Sequence, residues 1–263
     1  MTGVQTCALP ICGTTMYNIL TIIPARGGSK RIPNKNSKLL AGHPLVAYSI
    51  MAALNAQTSS RVIVSTDSKD IATISQRYGA EVPFLRPEEI SQDMSTDWEA
   101  FHQALQWFDE QENYQPDIIV HLRPTTPLRP PDMVDTAIQL IQTNQNADSL
   151  RSIVASPLTP YKMWRYADDG FLKPVVTIPD VEEAYNLPTQ QLPKAYLHSG
   201  HIDVIRRKTI INGSMTGKRI LPLMVDEAYY VDIDYPADWT RAEHLLATFK
   251  RPRVNVDDDH LTQ

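Results

Sequence analysis

The densest chemistry in the sequence follows its first strand-like run: Pro24-Ala25-Arg26-Gly27-Gly28-Ser29-Lys30-Arg31-Ile32-Pro33-Asn34-Lys35-Asn36. From Arg26 to Lys38 there are five cations, Arg26, Lys30, Arg31, Lys35 and Lys38, and no acid, in a chain whose formal net charge is −5. Gly27 and Gly28 allow close backbone approach and let amide hydrogens turn toward one centre, while the cations neutralise phosphate charge. A polyphosphate is the ligand this composition suits; a solvated basic turn is the other reading it allows. The spacing is that of neither a P-loop (GxxxxGK[ST]) nor a dinucleotide fingerprint (GxGxxG). A second constellation, Val231-Asp232-Ile233-Asp234, stands near the end. Strand periodicity puts both carboxylates on one face, where two hard oxygen donors can meet Mg²⁺. Read unaided, the same acids also fit a solvent-facing strand end that caps the next helix.

Short β-branched runs alternate with segments at helical spacing, the pattern of strands joined by crossover helices in a parallel sheet. Strands are predicted at Ile19–Pro24, 61–66, 82–85, 117–122, Tyr196–Arg206 and 219–225. Helices are predicted at Leu45–Leu54, 68–78, 96–108, 133–141 and 236–249. The basic loop then lies at the carboxyl end of the first strand, where open α/β sheets bind ligands. Residues 156–193 carry six prolines and break the rhythm, as an arm with short strands would. Trp98, Phe101, Trp107 and Phe108 fit helix packing better than base stacking. His121 reads as a satisfied core histidine. His198 and His201 flank Ser199-Gly200 and are candidates for a pocket wall; Arg151 reads by default as a surface cation, with contact to a ligand carboxylate as the other reading.

The 263 residues are 42% hydrophobic and 21% charged, within the globular range. The acidic balance argues against a polyanion-binding surface, hence against nucleic acid as a partner. No apolar run approaches the roughly 18 residues a membrane span needs. Residues 1–15 carry no charge and precede a second methionine, Met16, so a non-native or disordered extension is expected there, with a main unit over 16–250, an arm at about 156–195 and a tail at 251–263. Both cysteines, Cys7 and Cys12, fall in that extension. The remainder offers no disulfide or thiolate site, which suits a reducing cytoplasm.

Taken in order, the basic loop, the RVIVSTD strand end, Leu85-Arg86-Pro87, Arg123-Pro-Thr-Thr-Pro-Leu-Arg129, Gln190-Gln-Leu-Pro-Lys-Ala-Tyr196 and Asp232-Ile-Asp234 resemble the acylneuraminate cytidylyltransferase family over about residues 17–249. The resemblance implies a Rossmann-like three-layer α/β sandwich with a mostly parallel sheet, of nucleotide-diphospho-sugar transferase type, and a swapped arm that makes a homodimer. It implies that Ala25, Arg26, Gly27, Gly28, Ser29, Lys30, Lys35, Asn36, Arg86 and Ser95 hold CTP. Arg123, Thr125, Gln190, Gln191, Tyr196 and Ser199 would line the pocket of a nonulosonic sugar acid. Asp232 and Asp234 would hold Mg²⁺ and, with Arg26 and Lys30, serve catalysis. The reaction implied is attack of the anomeric hydroxyl on the α-phosphorus of CTP, with release of pyrophosphate. Alternatives are another 2-keto-3-deoxy sugar acid, or a silent nucleotide-sugar-binding module. Arg123 stands where sialic acid enzymes have Gln, Thr189 where they have Arg, Ser199 where they have Asn, and Asp97 where they have a contact serine; these departures concentrate on the sugar pocket.

Overall fold

The computed structural model describes residues 17–59 and 61–249; the expected extension at 1–15 and the tail at 251–263 lie outside the described residues. In chain order the elements are β1 (Ile19–Pro24), a two-residue ribbon β2 (Leu39–Leu40) and β3 (His43–Pro44), α1 (Leu45–Leu54), β4 (Arg61–Ser65) and α2 (Lys69–Arg77). Next come α3 (Asp97–Glu112), β5 (Ile118–His121), α4 (Met133–Thr143) and β6 (Ser149–Ala155). The hairpin β7 (Trp164–Tyr166) and β8 (Leu172–Pro174) follows, then β9 (Tyr196–Arg206), α5 (Arg207–Ile211), β10 (Ile220–Met224) and α6 (Pro236–Thr248).

Six strands form one sheet in the order β10-β6-β9-β5-β1-β4. All its neighbours run parallel except β9, which is antiparallel to both β5 and β6. Alternation along the strands divides two cores, because successive side chains of a strand face opposite sides. Ile19, Ile23, Val62, Val64, Ile118, Val120, Ile202 and Val204 pack on the side of α1, α4 and α6. Leu20, Ile22, Ile63, Ile119 and Ile205 pack against Phe101, Leu105 and Phe108 of α3. The result is the three-layer α/β sandwich expected. Among the described residues no helix is long and apolar enough to cross a membrane.

The helix α3 extends past its expected end to Glu112, closed by Asn113 in the left-handed region at φ 49°. Its start is fixed by a reciprocal cap: the Thr96 hydroxyl accepts from the Glu99 amide and the Glu99 carboxylate accepts from the Thr96 amide. The strand expected at 82–85 does not form. Only isolated bridges, Ile63 to Glu81 and Thr66 to Leu85, flank it, because Pro83 has no amide to donate to a ladder. Residues 156–195 carry the β7–β8 hairpin and short 3₁₀ turns, with Tyr166 and Phe171 more than two-thirds exposed.

Candidate active site

The loop that follows β1 is closed by its own residues. The Asn36 side-chain amide donates to the Arg26 carbonyl at 2.9 Å, while the Asn36 carbonyl takes the Val46 amide at 3.0 Å and ties the loop to α1. Gly27 acts differently from the expectation of converging amides. The Gly27 N–H donates to Asp67 Oδ1 at 2.8 Å, and a Cβ there would come 3.1 Å from Ser68 Cβ. Gly27 therefore passes close against the cap of α2, and its amide is already engaged. Gly28 has open space around it, and neither glycine adopts positive φ.

Four of the loop's five cations do converge. A cleft of about 550 Å³ is lined by Arg26, Ser29, Lys30, Arg31, Lys35 and Asn36 on one side, and by Arg86, Ser95, Asp97, Arg123 and Thr125 on the other, with Asp234 at its rim. That volume suits a nucleotide-sized ligand. Arg26 pairs with Asp93 at 3.0 Å, and Lys30 pairs with the other oxygen of the same carboxylate. These contacts hold the Asp93 carboxyl below the usual carboxylate range, the Lys30 hydrogen bond first among the causes. Arg31 and Lys35 reach Asp234 at 3.1 and 3.2 Å, and Lys35 also donates to the Ile233 carbonyl at 2.8 Å. Lys38 leaves the group and lies over the Trp239 ring at 4.5 Å.

Asp232 and Asp234 lie in an extended lead-in to α6, not in a strand as expected, since Pro236 starts a helix at once. The alternation survives without a ladder: Val231 and Ile233 are buried while the two acids point outward. The Ile233 amide donates to the Thr125 carbonyl at 2.8 Å, which fastens this segment to the Pro124-Thr125 wall. The capping alternative for these acids is taken by a different residue. Asp238 accepts the amides of Asp234 and Tyr235 at 3.1 and 2.7 Å, leaving both upstream carboxylates free of that duty. Withdrawal from water raises the Asp232 carboxyl above its ordinary range and Asp234 adds repulsion, against the pull of Thr125, Lys35 and Arg123. Asp234 lines the cleft and Asp232, two residues earlier on the same segment, lies outside its lining; two neighbouring carboxylates of this kind are a donor set a divalent cation takes when substrate oxygens complete its shell. Among the described residues there is no group of three or more His, Cys, Asp or Glu that could cage a metal unaided.

Buried arginines shape the far wall. Arg86 donates to Ser65 Oγ at 3.1 Å and to the Ser65 carbonyl at 2.6 Å, so the end of β4 aims it into the cleft. Arg129 is enclosed by neutral acceptors: the carbonyls of His201 (2.9 Å) and Arg123 (2.7 Å) and the Ser49 hydroxyl (3.1 Å). Burial pushes its pKa down to about 9, which leaves it protonated at neutral pH. It locks the 123–129 turn and so presents Arg123 and Thr125. Arg123 itself donates to Asp203 at 2.7 Å and to Asp97 at 3.2 Å.

Other expected residues lie elsewhere. Ser199 is fully buried and its hydroxyl finds no partner, so it does not face the cleft. Gln190 and Gln191, exposed on the arm, and Tyr196, exposed at the start of β9, are also outside the cleft lining of this one chain. His201 is buried against the Tyr229 carbonyl and desolvation lowers its pKa to about 4. His121 is enclosed as expected but is not satisfied: neither ring nitrogen has a hydrogen-bond partner, and Phe101 lies 4.6 Å away. Desolvation keeps it neutral, with a pKa of about 3. Asp93 and Asp203 were not anticipated. An acid at an inward position of an otherwise apolar strand, as in His201-Ile-Asp203-Val-Ile205, is the signal that could have found the second.

The sequence matches the family described as cytidylyltransferase over residues 20–192. The chain belongs to the cytidylyltransferase family. This cytidylyltransferase is 34% identical over 231 residues to a CMP-N,N'-diacetyllegionaminic acid synthase of Legionella pneumophila, a match covering 87% of this chain and 96% of the relative. It is 29% identical over 239 residues to an N-acylneuraminate cytidylyltransferase of Escherichia coli, covering 90% of this chain and 54% of that protein. Among solved structures, a CMP:2-keto-3-deoxy-manno-octonic acid synthetase complexed with CTP superposes with a TM-score of 0.63 at 17% identity, over 88% of this chain and 99% of the other, which shows the shared fold.

Proposed function

We propose that this cytidylyltransferase moves CMP from CTP to the anomeric hydroxyl of a nonulosonic, sialic-type sugar acid and releases pyrophosphate. The observation that carries the reading is the meeting of four loop cations with the Asp234 segment in one cleft at the carboxyl edge of β1. In this reading Arg26, Ser29, Lys30 and Lys35 bind the triphosphate, with Asn36 closing the loop that presents them. Arg86 and Ser95 reach the nucleotide from the opposite wall. Triphosphate oxygens take over the cations that Asp93 and Asp234 now engage, because a multiply charged phosphate attracts them more strongly than one carboxylate.

Asp232 and Asp234 would hold Mg²⁺, which when bound offsets charge developing on the phosphates and lowers the pKa of the attacking hydroxyl. The chain's own part is to hold the triphosphate along the basic loop and the sugar beside Arg123 and Thr125, so that the hydroxyl meets the α-phosphorus in line. The identity to the legionaminic acid enzyme across nearly all of that relative favours a di-N-acetylated nonulosonic acid, and Arg123 gives the sugar wall a fixed cation.

The exposed apolar side chains of the β7–β8 hairpin support a homodimer in which the arm, with Gln190, Gln191 and Tyr196, completes the partner's sugar pocket. A cytoplasmic location agrees with CTP as substrate. The test is pyrophosphate release from CTP and Mg²⁺ with N,N'-diacetyllegionaminate, pseudaminate and N-acetylneuraminate in parallel. Turnover with one of them is expected; CTP binding with no release under any sugar would identify a silent binding module instead.

A further inference from the structure

Facing α3, the sheet carries one transverse row. Ile63, Ile22, His121, Asp203 and Arg151 are register partners in turn across β4, β1, β5, β9 and β6. The row begins apolar under α3, where Phe101 covers His121, and ends charged. Asp203 is 2% exposed, a carboxylate sunk in the sheet, and its cations draw its pKa far below the usual range against the burial that opposes them.

Asp203 serves two arginines unequally. Arg123 donates Nη1 to Asp203 Oδ2 at 2.7 Å and Nη2 to Asp97 at 3.2 Å, so both of its terminal nitrogens already face protein carboxylates. Arg151 donates only Nε, to Asp203 Oδ1 at 2.9 Å. Among the described residues its two terminal nitrogens have no hydrogen-bond partner, and its side chain is 29% exposed. A guanidinium fixed through Nε presents a planar, two-pronged donor, the geometry that matches a carboxylate. The ladder between β6 and β9 slips just after Arg151, an irregularity of the kind that re-aims a side chain beside a site. Arg123 lines the cleft and shares Asp203 with Arg151, so Arg151, outside the lining itself, stands next to that wall.

We propose that Arg151 grips the carboxylate of the sugar acid, and that Asp203 is the positioning residue that aims it. The proposal rests on the reading that the second substrate is a sugar acid. It shifts the anionic anchor from Arg123, both of whose terminal nitrogens already bond protein carboxylates, to Arg151, whose terminal nitrogens do not. His198, with Nε2 3.3 Å from the same Asp203 oxygen, shares that oxygen with Arg151 Nε.

The test measures pyrophosphate release by the full chain with CTP, Mg²⁺ and either N,N'-diacetyllegionaminate or N-acetylneuraminate, whichever the wild type turns over. Arg151→Gln is expected to raise KM for the sugar acid by about 10- to 100-fold, the loss of a charged two-bond contact, with KM for CTP within about twofold. Arg151→Lys should recover part of that loss, keeping charge without the fork. Asp203→Asn should raise sugar-acid KM in the same direction, by an amount that includes the release of Arg123, and Arg151→Gln should cost less in the Asp203→Asn background than in wild type, because the two act in part through one contact. A sugar-acid KM in Arg151→Gln within about twofold of wild type, or an equal rise in both KM values, overturns the proposal. Absence of wild-type turnover with every sugar acid overturns the functional reading and the proposal with it, an outcome seen before any variant is made.

Discussion

Lys35 offers the sharpest test of the cleft, because one ammonium is asked to serve both structure and ligand. Its side chain is 14% exposed, and Nζ donates to the Ile233 carbonyl at 2.8 Å and to Asp234 at 3.2 Å. In Lys35→Ala the structural loss is small. The pair with Asp234 has a half-exposed acid and is worth under about 1 kcal/mol, and the bond to Ile233 adds about 1 kcal/mol, so unfolding free energy should fall by about 1–2 kcal/mol. The ligand loss is larger. A charged hydrogen bond to a phosphate contributes about 1.5–3 kcal/mol, which at about 1.4 kcal/mol per decade weakens CTP binding by about 10- to 150-fold. Calorimetric titration of CTP with Mg²⁺, beside urea unfolding of the same samples, separates the two. If stability falls while CTP affinity stays within about twofold, Lys35 is only a strut for the Asp234 segment, and the phosphate assignment of the loop is refuted.

Removing the Asp93 carboxylate should help CTP. In Asp93→Asn the triphosphate no longer displaces an anion from Arg26 and Lys30, so KM for CTP should drop severalfold, with the gain fading as salt rises; an unchanged or higher KM counts against Asp93 as a competitor. Arg129→Met strands three acceptors around Ser49, Arg123 and His201 and should cost about 3 kcal/mol or more in urea unfolding; a loss below about 1 kcal/mol would contradict its role as the lock of the 123–129 turn. Acid should destabilise the fold before its carboxylates titrate. His121 and His201 stay neutral in the native state down to pH of about 3 and 4, whereas unfolded histidines bind protons below about 6.5. The unfolded state therefore holds the extra protons, and stability should fall with decreasing pH below about 6.5, by up to about 2.7 kcal/mol per unit while both contribute. His121→Leu should halve that slope, and an unaltered slope would show that the imidazole takes up its proton in the native state.

Periodicity identifies which residues of a strand share a face but not which strand lies beside it, and that division accounts for what was legible in the sequence. Ile19–Pro24 is visible as a short apolar run, Tyr196–Arg206 by its β-branched and aromatic residues, and the helix at Leu45–Leu54 as a longer buried apolar run. The strand expected at 82–85 failed on one residue, Pro83, whose missing amide outweighs the flanking apolar pattern. The basic loop was legible as a cluster because its cations are consecutive in sequence, yet its charge balance was not. Asp93 lies more than 60 positions beyond Lys30 and Asp234 about 200 beyond Lys35, and only the return of each segment to the carboxyl edge of β1 makes them partners. The same reasoning explains Arg151 and Asp203. Each reads alone as an ordinary charge on a strand, one at a strand start and one amid buried apolar neighbours. The antiparallel entry of β9 between β5 and β6 puts them opposite each other and places Asp203 within reach of Arg123 as well. A parallel β9 would change that cross-strand register. The strand that departs from the otherwise parallel order is therefore also the one that brings these charges together beside the cleft.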